Sequence, residues 1–468
     1  MIPVPARAVA PAGLTARARP HFATIAVALA AATRAILFGG VAFALLQALP
    51  NRGNAALQTW LARTIGVHGI PAGAESLGWL GALAARAASI CSAPSGPAFA
   101  AVAYACAALW LVDVRARRIA SELGGPQRAA GFAASLALLC TLDALRPGGG
   151  ASAWCGAALA MLLLDVPSKR NLAAFFAVSV VWCNLAPHGV LAPALALVVA
   201  VGATLARPRT GDLRARWLAA ALGGLATLCT PAGSGFPAAA FAALRLGDAA
   251  AGIVTSVPAV TAPHAYRSGL FVLMLLALVA GARGRGMRDA LPVALAFVLA
   301  LANGAFVPVF GIVAAPVIVA GLRTLRLPAW APVAFACVAV AAVALVARGA
   351  PPPRLASQPF ELAAVEAVRA RPHALLVCAN VDWCDVALAG GERVLVDGRI
   401  APYDADARAS QREIAGVGRD WERALARSRA TAVLAVNDSP LSTLLGLSTN
   451  WVATRRDERA TLYERRSQ

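Results

Sequence analysis

The stretch KRNLAAFFAVSVVWCNLAPHGVLAPALALVVAVGATLARPR, residues 169–209, decides the fold. Two apolar runs, 172–187 and 189–206, meet at the short turn NLAPHG (184–189). Basic residues close both outer ends, Lys169 and Arg170 before the first run and Arg207 and Arg209 after the second. An apolar helix needs about 20 residues to cross the hydrocarbon core of a bilayer. Paired runs near that length, bounded by positive charge, read as a hairpin through a membrane.

The same unit recurs outward in both directions. Candidate spans fall at 24–48, 97–114, 127–145, 151–166, 172–187, 189–206, 217–234, 266–282, 289–303, 304–321 and 329–348. Basic residues gather in alternate gaps. One side receives Arg7, Arg17, Arg19, Arg115, Arg117, Arg118, Arg128, Lys169, Arg170, Arg207, Arg209, Arg214, Arg216, Arg283, Arg285, Arg288, Arg323 and Arg326. The other receives only Arg52, Arg63, Arg86, Arg146, Arg245, Arg267 and Arg348. Cytoplasmic loops carry the excess of Lys and Arg, so the N-terminus is expected inside and the C-terminus outside. The first apolar run is too long for a signal-peptide core and reads as an anchor.

These boundaries divide the chain. Residues 1–23 form a cytoplasmic N-terminal segment. Residues 24–348 form a multi-pass transmembrane domain of about eleven spans, with long outer loops at 50–96 and 235–265. Within the first loop, LQTWLARTIGV (57–67) has the pattern of an amphipathic helix lying in the interface. A proline-rich linker (349–358) leads to a soluble α/β domain at 359–468. Strands are expected at 374–379, 393–398, 431–436, 451–456 and 460–465, and helices at 359–370, 419–428 and 439–447. The last two strands read as a hairpin turning at Asp457–Glu458.

Composition agrees. Charged residues make up 14% of the 468, against about 25% in soluble domains. The formal net charge of +19 is uneven: residues 1–350 hold 26 Lys and Arg against 8 Asp and Glu, and the tail holds the remaining 16 against 15. Such a charge suits a nucleic-acid partner only when it forms one basic surface. Here it is divided among short loops, which excludes nucleic acid. Lys169 is the lone lysine, a bias of GC-rich coding that gives the arginines no special role.

No phosphate-binding loop, dinucleotide fingerprint or metal-ligand spacing occurs, and His21, His68, His188, His264 and His373 stand singly. No metal and no resident cofactor is expected. Seven of the nine cysteines lie in or beside apolar runs as packing residues. Cys378 and Cys384, in the tail, can pair if the tail meets an oxidising compartment.

An ordered series of short motifs runs along the chain: WLARTIGVHGIP (60–71), LRP (145–147), WCNLAPHG (182–189), TPAG (230–233), FVPVFGIVAAP (306–316), then Asp382-Trp383, VLVDGR (394–399), Tyr403 and Trp451. In this series the chain resembles a group of bacterial multi-pass membrane proteins related to the GT-C glycosyltransferases. The resemblance implies a polytopic α-helical membrane protein with a small α/β domain on the periplasmic side of the inner membrane. It implies a sugar donor carried on a polyprenyl phosphate, an acceptor in the cell envelope, and contact with membrane lipid. It also implies a carboxylate in the first outer loop as general base. The group's aspartate after Ile-Pro is missing, and IPAGAESLGWL (70–80) carries Ala74 and Glu75 in that stretch.

Glycosyl transfer needs a carboxylate to take the acceptor proton and cationic or hydrogen-bonding groups to hold the leaving phosphate. The charge pattern assigns Asp113, Glu122, Asp165, Asp212 and Asp289 to the inner side and leaves Glu75, Asp143 and Asp248 outside. Glu75 is the first candidate base by position, and Asp143, which shares a helix face with Arg146, is the second. Arg146, Asn184 and His188 are candidates for binding lipid phosphate or substrate; Asn184 and His188 equally suit a plain turn. Arg34, inside the first run, either snorkels or pairs with Asp113 or Asp165. Asp397-Gly398-Arg399 reads as a turn. Two further readings stand beside transfer: a non-catalytic scaffold or lipid- and partner-binding protein of the envelope, and a transporter, which the lack of a convincing inverted repeat disfavours.

Overall fold

The structure is a computed structural model. It describes residues 19–47, 61, 64–68, 70, 78–92, 96–122, 129–141, 150–206, 210–244, 286–302, 306–322, 328, 330–349, 375–397, 403–457 and 460–466. Its helices are α1 (Arg19–Gln47), α2 (Trp79–Ser92), α3 (Gly96–Glu122), α4 (Ala129–Thr141), α5 (Gly150–Asp165), α6 (Lys169–Leu185), α7 (Leu191–Leu205), α8 (Thr210–Leu228), α9 (Phe236–Leu244), α10 (Met287–Ala302), α11 (Val307–Leu322) and α12 (Ala331–Gly349). Each expected apolar run is met by one of these except 266–282, which lies outside the described residues.

The two long loops, 50–96 and 235–265, hold more structure than the sequence suggests, since α2 lies in the first and α9 in the second. In the amphipathic segment Leu61 is buried and packs with Ile65 against Ala82 of α2, while Val67 stays exposed. Among the described residues one helix, Pro187–Leu205, is long and apolar enough to cross a membrane by length and composition. Shorter apolar helices include Ala28–Ala42, Ala130–Cys140, Ser152–Asp165, Val307–Ile318 and Ala331–Ala342.

Helix α11 is the axis of the bundle. Every residue from Phe306 to Ile318 is buried, as suits a helix apolar on all sides. It packs against α3, α4, α5 and α10, while α1 pairs with α12 and α7 with α8. Small residues permit the close approaches. A Cβ on Gly311 would collide with Cys140 of α4, and one on Gly202 of α7 would lie 2.6 Å from the Met287 carbonyl oxygen of α10. Large apolar side chains also point outward, among them Trp110, Leu197, Leu218, Leu225, Val298 and Val338.

The tail forms β1 (Leu376–Cys378), α13 (Val381–Ala389), α14 (Ala405–Ala415), α15 (Trp421–Ser428), β2 (Ala432–Val436), α16 (Pro440–Leu447), β3 (Trp451–Arg456) and β4 (Ala460–Arg465). The sheet order is β1-β2-β4-β3. Strands β1 and β2 run parallel, while β4 is antiparallel to both β2 and β3. Alternation of side chains divides the core. Leu376, Cys378, Ala432 and Leu434 face α13, and Val377, Val433 and Ala435 face Ile414, Leu425, Leu441 and Leu445 on the other side.

The hairpin turns where expected, with Asp457 Oδ1 accepting from the Ala460 N–H at 2.7 Å. The strand expected at 393–398 is instead a single parallel bridge of Val394 to Leu376. The reading missed α13 and α14. The helical face of α13 is short: Trp383, Cys384 and Ala387 are buried, and the chain leaves the helix through Gly391 at φ 97°. In α14 only Gln411 and Ile414 are buried, so apolar periodicity is nearly absent and the N-cap Asp404 was the remaining signal. The segment expected as a helix at 359–370 lies outside the described residues.

Candidate functional site

The two ends of the helical bundle differ in chemistry. At one end the charges are paired. Arg115 is buried on α3; its Nε donates to Asp165 Oδ2 at 2.9 Å and its Nη2 to Oδ1 at 3.3 Å. Arg115 Nη1 donates to the Val313 carbonyl at 3.2 Å, and Asp289 Oδ1 lies 3.7 Å from Nη2. Arg288 approaches Asp165 at 3.6 Å, and Arg216 donates to the Leu164 carbonyl at 3.0 Å. Asp113 receives Arg34 at 3.0 Å and Arg117 at 2.8 Å, which settles Arg34 as a partner of Asp113. Glu122 sits 3.5 Å from Arg118, and Asp212 opens α8 one turn before Arg216. The five acids that the sequence groups on one side thus share one end of the bundle. Of these, Asp113, Asp165 and Asp289 are buried carboxylates held by guanidinium groups, an arrangement that serves structure.

The opposite end, neutral in its described side chains, is built from the motif stretches. Helix α6 stops at Leu185 because the Ala186 N–H bonds back to the Trp182 carbonyl in an extended conformation, and Pro187 starts a 3-10 turn through Val190. One residue earlier, Asn184 ties three elements together. Its Oδ1 accepts from Trp79 Nε1 of α2 at 2.6 Å, and its Nδ2 donates to the Cys229 carbonyl at 3.0 Å and to the Val180 carbonyl at 2.8 Å. Gly81 lets α2 dock there, since a Cβ would lie 2.5 Å from the Leu185 carbonyl oxygen.

Beyond Cys229, TPAG (230–233) closes a turn: the Gly233 N–H bonds to Thr230 at 2.9 Å, with φ 52° at the glycine. The His188 ring stands 5.8 Å from that of Phe306 at the start of FVPVFGIVAAP. Stretches scattered from Trp79 to Phe306 therefore converge on one turn. The Trp79 and Phe306 contacts were not legible beforehand, because each partner lies more than one hundred residues from its mate.

Two buried nitrogens here have no protein partner, His188 Nδ1 and Trp182 Nε1. The Trp182 ring lies against Gly156 of α5, where any side chain would collide with it. A buried polar group without a partner is uncommon and costs about 1–3 kcal/mol. Such groups suit phosphate or hydroxyl oxygens. Asn184 has both amide protons and its oxygen engaged within the protein, so it positions the turn. Among the described residues no carboxylate lies at this end, and none forms a metal-ligand cluster. Glu75, Asp143, Arg146 and Asp248 lie outside the described residues. Trp79, four residues after Glu75, stands at the neutral end. So does the end of α4, since Gly311 near the start of α11 packs on Cys140.

In the tail, Asp397 is fully buried and accepts from Tyr403 Oη at 2.5 Å, while Gly398 and Arg399 of the expected turn lie outside the described residues. Cys378 and Cys384 are both buried free thiols in this structure.

No family model matches the chain, and no curated protein matches it in sequence. Solved structures do match. ArnT from Cupriavidus metallidurans bound to undecaprenyl phosphate is 14% identical with a TM-score of 0.53, covering 93% of this chain and 97% of that one. Its apo form gives the same identity and TM-score over 95% and 98%. The archaeal oligosaccharyltransferase AglB from Archaeoglobus fulgidus, in complex with an inhibitory peptide and a dolichol-phosphate, is 11% identical with a TM-score of 0.55, over 90% and 70%.

Proposed function

We propose that this chain, whose fold is GT-C-related in common with ArnT and AglB, is a multi-pass membrane glycosyltransferase, moving a sugar from a polyprenyl-phosphate donor to an acceptor in the cell envelope at the outer face of the bacterial inner membrane. The observation that carries the reading is the near full-length likeness to proteins solved with undecaprenyl phosphate and dolichol-phosphate. Two features of the bundle support it. Apolar side chains point outward along α3, α7, α8, α10 and α12, as hydrocarbon solvation requires. The converging motifs gather at the end opposite the arginine cluster, and excess arginine marks the cytoplasmic side.

On this reading the lipid phosphate meets Arg146, His188 Nδ1 and Trp182 Nε1 at the end opposite the arginine cluster. Asn184 holds the turn that presents them. Glu75 takes the proton of the acceptor hydroxyl, and Asp143 is the second carboxylate of the site. Proton removal strengthens the nucleophile as it attacks the anomeric carbon, and hydrogen bonds to the departing phosphate stabilise its growing charge. No metal enters this scheme.

A second reading is favoured by one feature, the absence of aspartate after Ile70-Pro71. It takes the chain as a non-catalytic envelope protein that keeps the lipid-binding end. Glycan profiling separates the two. Cells lacking the protein are complemented with wild type or with Glu75→Gln/Asp143→Asn. The transferase reading predicts that wild type alone restores the missing glycan. Equal restoration by both supports the scaffold.

A further inference from the structure

The tail buries two thiols side by side. Cys378 ends β1, and Cys384 occupies the first turn of α13, the helix that follows it. Both are completely buried within one cluster with Leu376, Trp383, Ala387 and Leu434. The Cys384 side chain interacts with Cys378 directly, and burial and that neighbour push its thiol pKa well up. Among the described residues no third ligand stands near enough to make a metal site. Cys229 and Cys337, by contrast, are exposed on the helical bundle.

We propose that Cys378 and Cys384 form an intramolecular disulfide in the mature protein, a covalent clamp between β1 and α13 of the outer domain. The inference rests on the proposed outward placement of the tail, because thiols in apposition persist in a reducing compartment and oxidise in an oxidising one. The step joins Sγ to Sγ. Two thiols lose two protons and two electrons, and the disulfide of a thiol–disulfide oxidoreductase accepts both and becomes a dithiol. Both sulfurs are completely buried in the folded tail, out of reach of an oxidoreductase, so oxidation precedes closure of the tail around them.

The clamp has a structural consequence. Trp383 neighbours Cys384 and is buried under the sheet, and Val394 bridges to Leu376 on the same edge. Fixing α13 on β1 therefore steadies the stretch from Val394 to Asp397, whose carboxylate accepts from Tyr403. Cutting a seven-residue ring at this place raises local opening by roughly tenfold or more.

The test uses the full chain purified from membranes with free thiols blocked by N-ethylmaleimide under denaturing conditions and without reductant. Both cysteines fall on one tryptic peptide, since no Lys or Arg other than the proline-shielded Arg371 occurs between Arg369 and Arg393. The expected peptide carries no maleimide and weighs two hydrogens less than the dithiol, while Cys229 and Cys337 are labelled. After reduction it accepts two labels and the tail is cut faster by protease. Two labels before reduction overturn the clamp. Placement is measured separately, with Glu422→Cys on exposed α15 and an impermeant maleimide on intact spheroplasts. Labelling of that site together with two free thiols refutes the disulfide and leaves the outward tail standing. Protection of that site refutes the outward tail, and the peptide mass still decides the disulfide.

Discussion

Replacing Arg115 with methionine tests the physical account of the bundle most severely. The side chain is about as buried as any in the protein, with 2% of its surface exposed, and it bonds Asp165 twice, at 2.9 and 3.3 Å. It also stands 3.7 Å from Asp289 and holds the Val313 carbonyl at 3.2 Å. Methionine retains the apolar stem and deletes every one of these contacts. Asp165 keeps Arg288 at 3.6 Å, but Asp289 loses its Arg115 partner. Breaking a buried pair from one side costs about 3–5 kcal/mol, far above the roughly 0–1 kcal/mol of an exposed pair. Arg34→Ala is the internal comparison: its side chain is one-third exposed, and Asp113 retains Arg117 at 2.8 Å. Equilibrium unfolding in mixed micelles of increasing SDS, followed by tryptophan fluorescence, reads both. Arg115→Met is expected to lose about 3–5 kcal/mol and Arg34→Ala at most about 1 kcal/mol. Adding Asp289→Asn to Arg115→Met removes one charge of each sign and leaves the Asp165–Arg288 pair, so it is expected to recover part of the loss. A stability of Arg115→Met within about 1 kcal/mol of wild type refutes the reasoning.

Other expectations concern the opposite end. Trp79→Phe and Asn184→Leu are expected to couple by about 1 kcal/mol in a double-mutant cycle, because both remove the same 2.6 Å bond; strictly additive losses contradict it. Gly156→Leu drives a side chain into the Trp182 ring and is expected to cost about 1–3 kcal/mol, with Trp182→Ala relieving part of it. His188→Ala removes a nitrogen that has no protein partner through its Nδ1, so binding of undecaprenyl phosphate is expected to weaken about tenfold while the unfolding midpoint stays near wild type. A change in unfolding with unchanged lipid affinity assigns His188 to structure instead.

How far the sequence could be read depended on the range of each interaction. Apolar runs and alternating basic gaps are local, and they placed the hairpin at 169–209 and the helices around it. The grouping of Asp113, Asp165 and Asp289 at one end also followed, because the basic loops around them mark a common side. The partners did not follow. Nothing local announces that Trp79 bonds Asn184 or that His188 meets Phe306, since packing of distant helices chooses them. Short polar helices were lost for another reason. In α14 the core receives only Gln411 and Ile414, too few residues to generate a period. The strand expected around Val394 carried the right alternation, yet it reaches Leu376 through a single bridge. The amphipathic segment packs Leu61 on Ala82 of α2 and leaves Val67 exposed, and that split between its apolar residues has no local signal.

The most direct test of the central claim is turnover by the purified protein. Wild type and Glu75→Gln/Asp143→Asn are placed in nanodiscs with polyprenyl-phosphate-linked sugars and an envelope extract as acceptor source, and release of free polyprenyl phosphate is followed by mass spectrometry. The account predicts that wild type consumes a lipid-linked sugar and transfers it to an envelope acceptor, while the double variant binds the lipid and releases nothing. Release by wild type no faster than by empty nanodiscs, with the lipid bound, contradicts it and leaves a GT-C-related fold that holds lipid without transferring sugar.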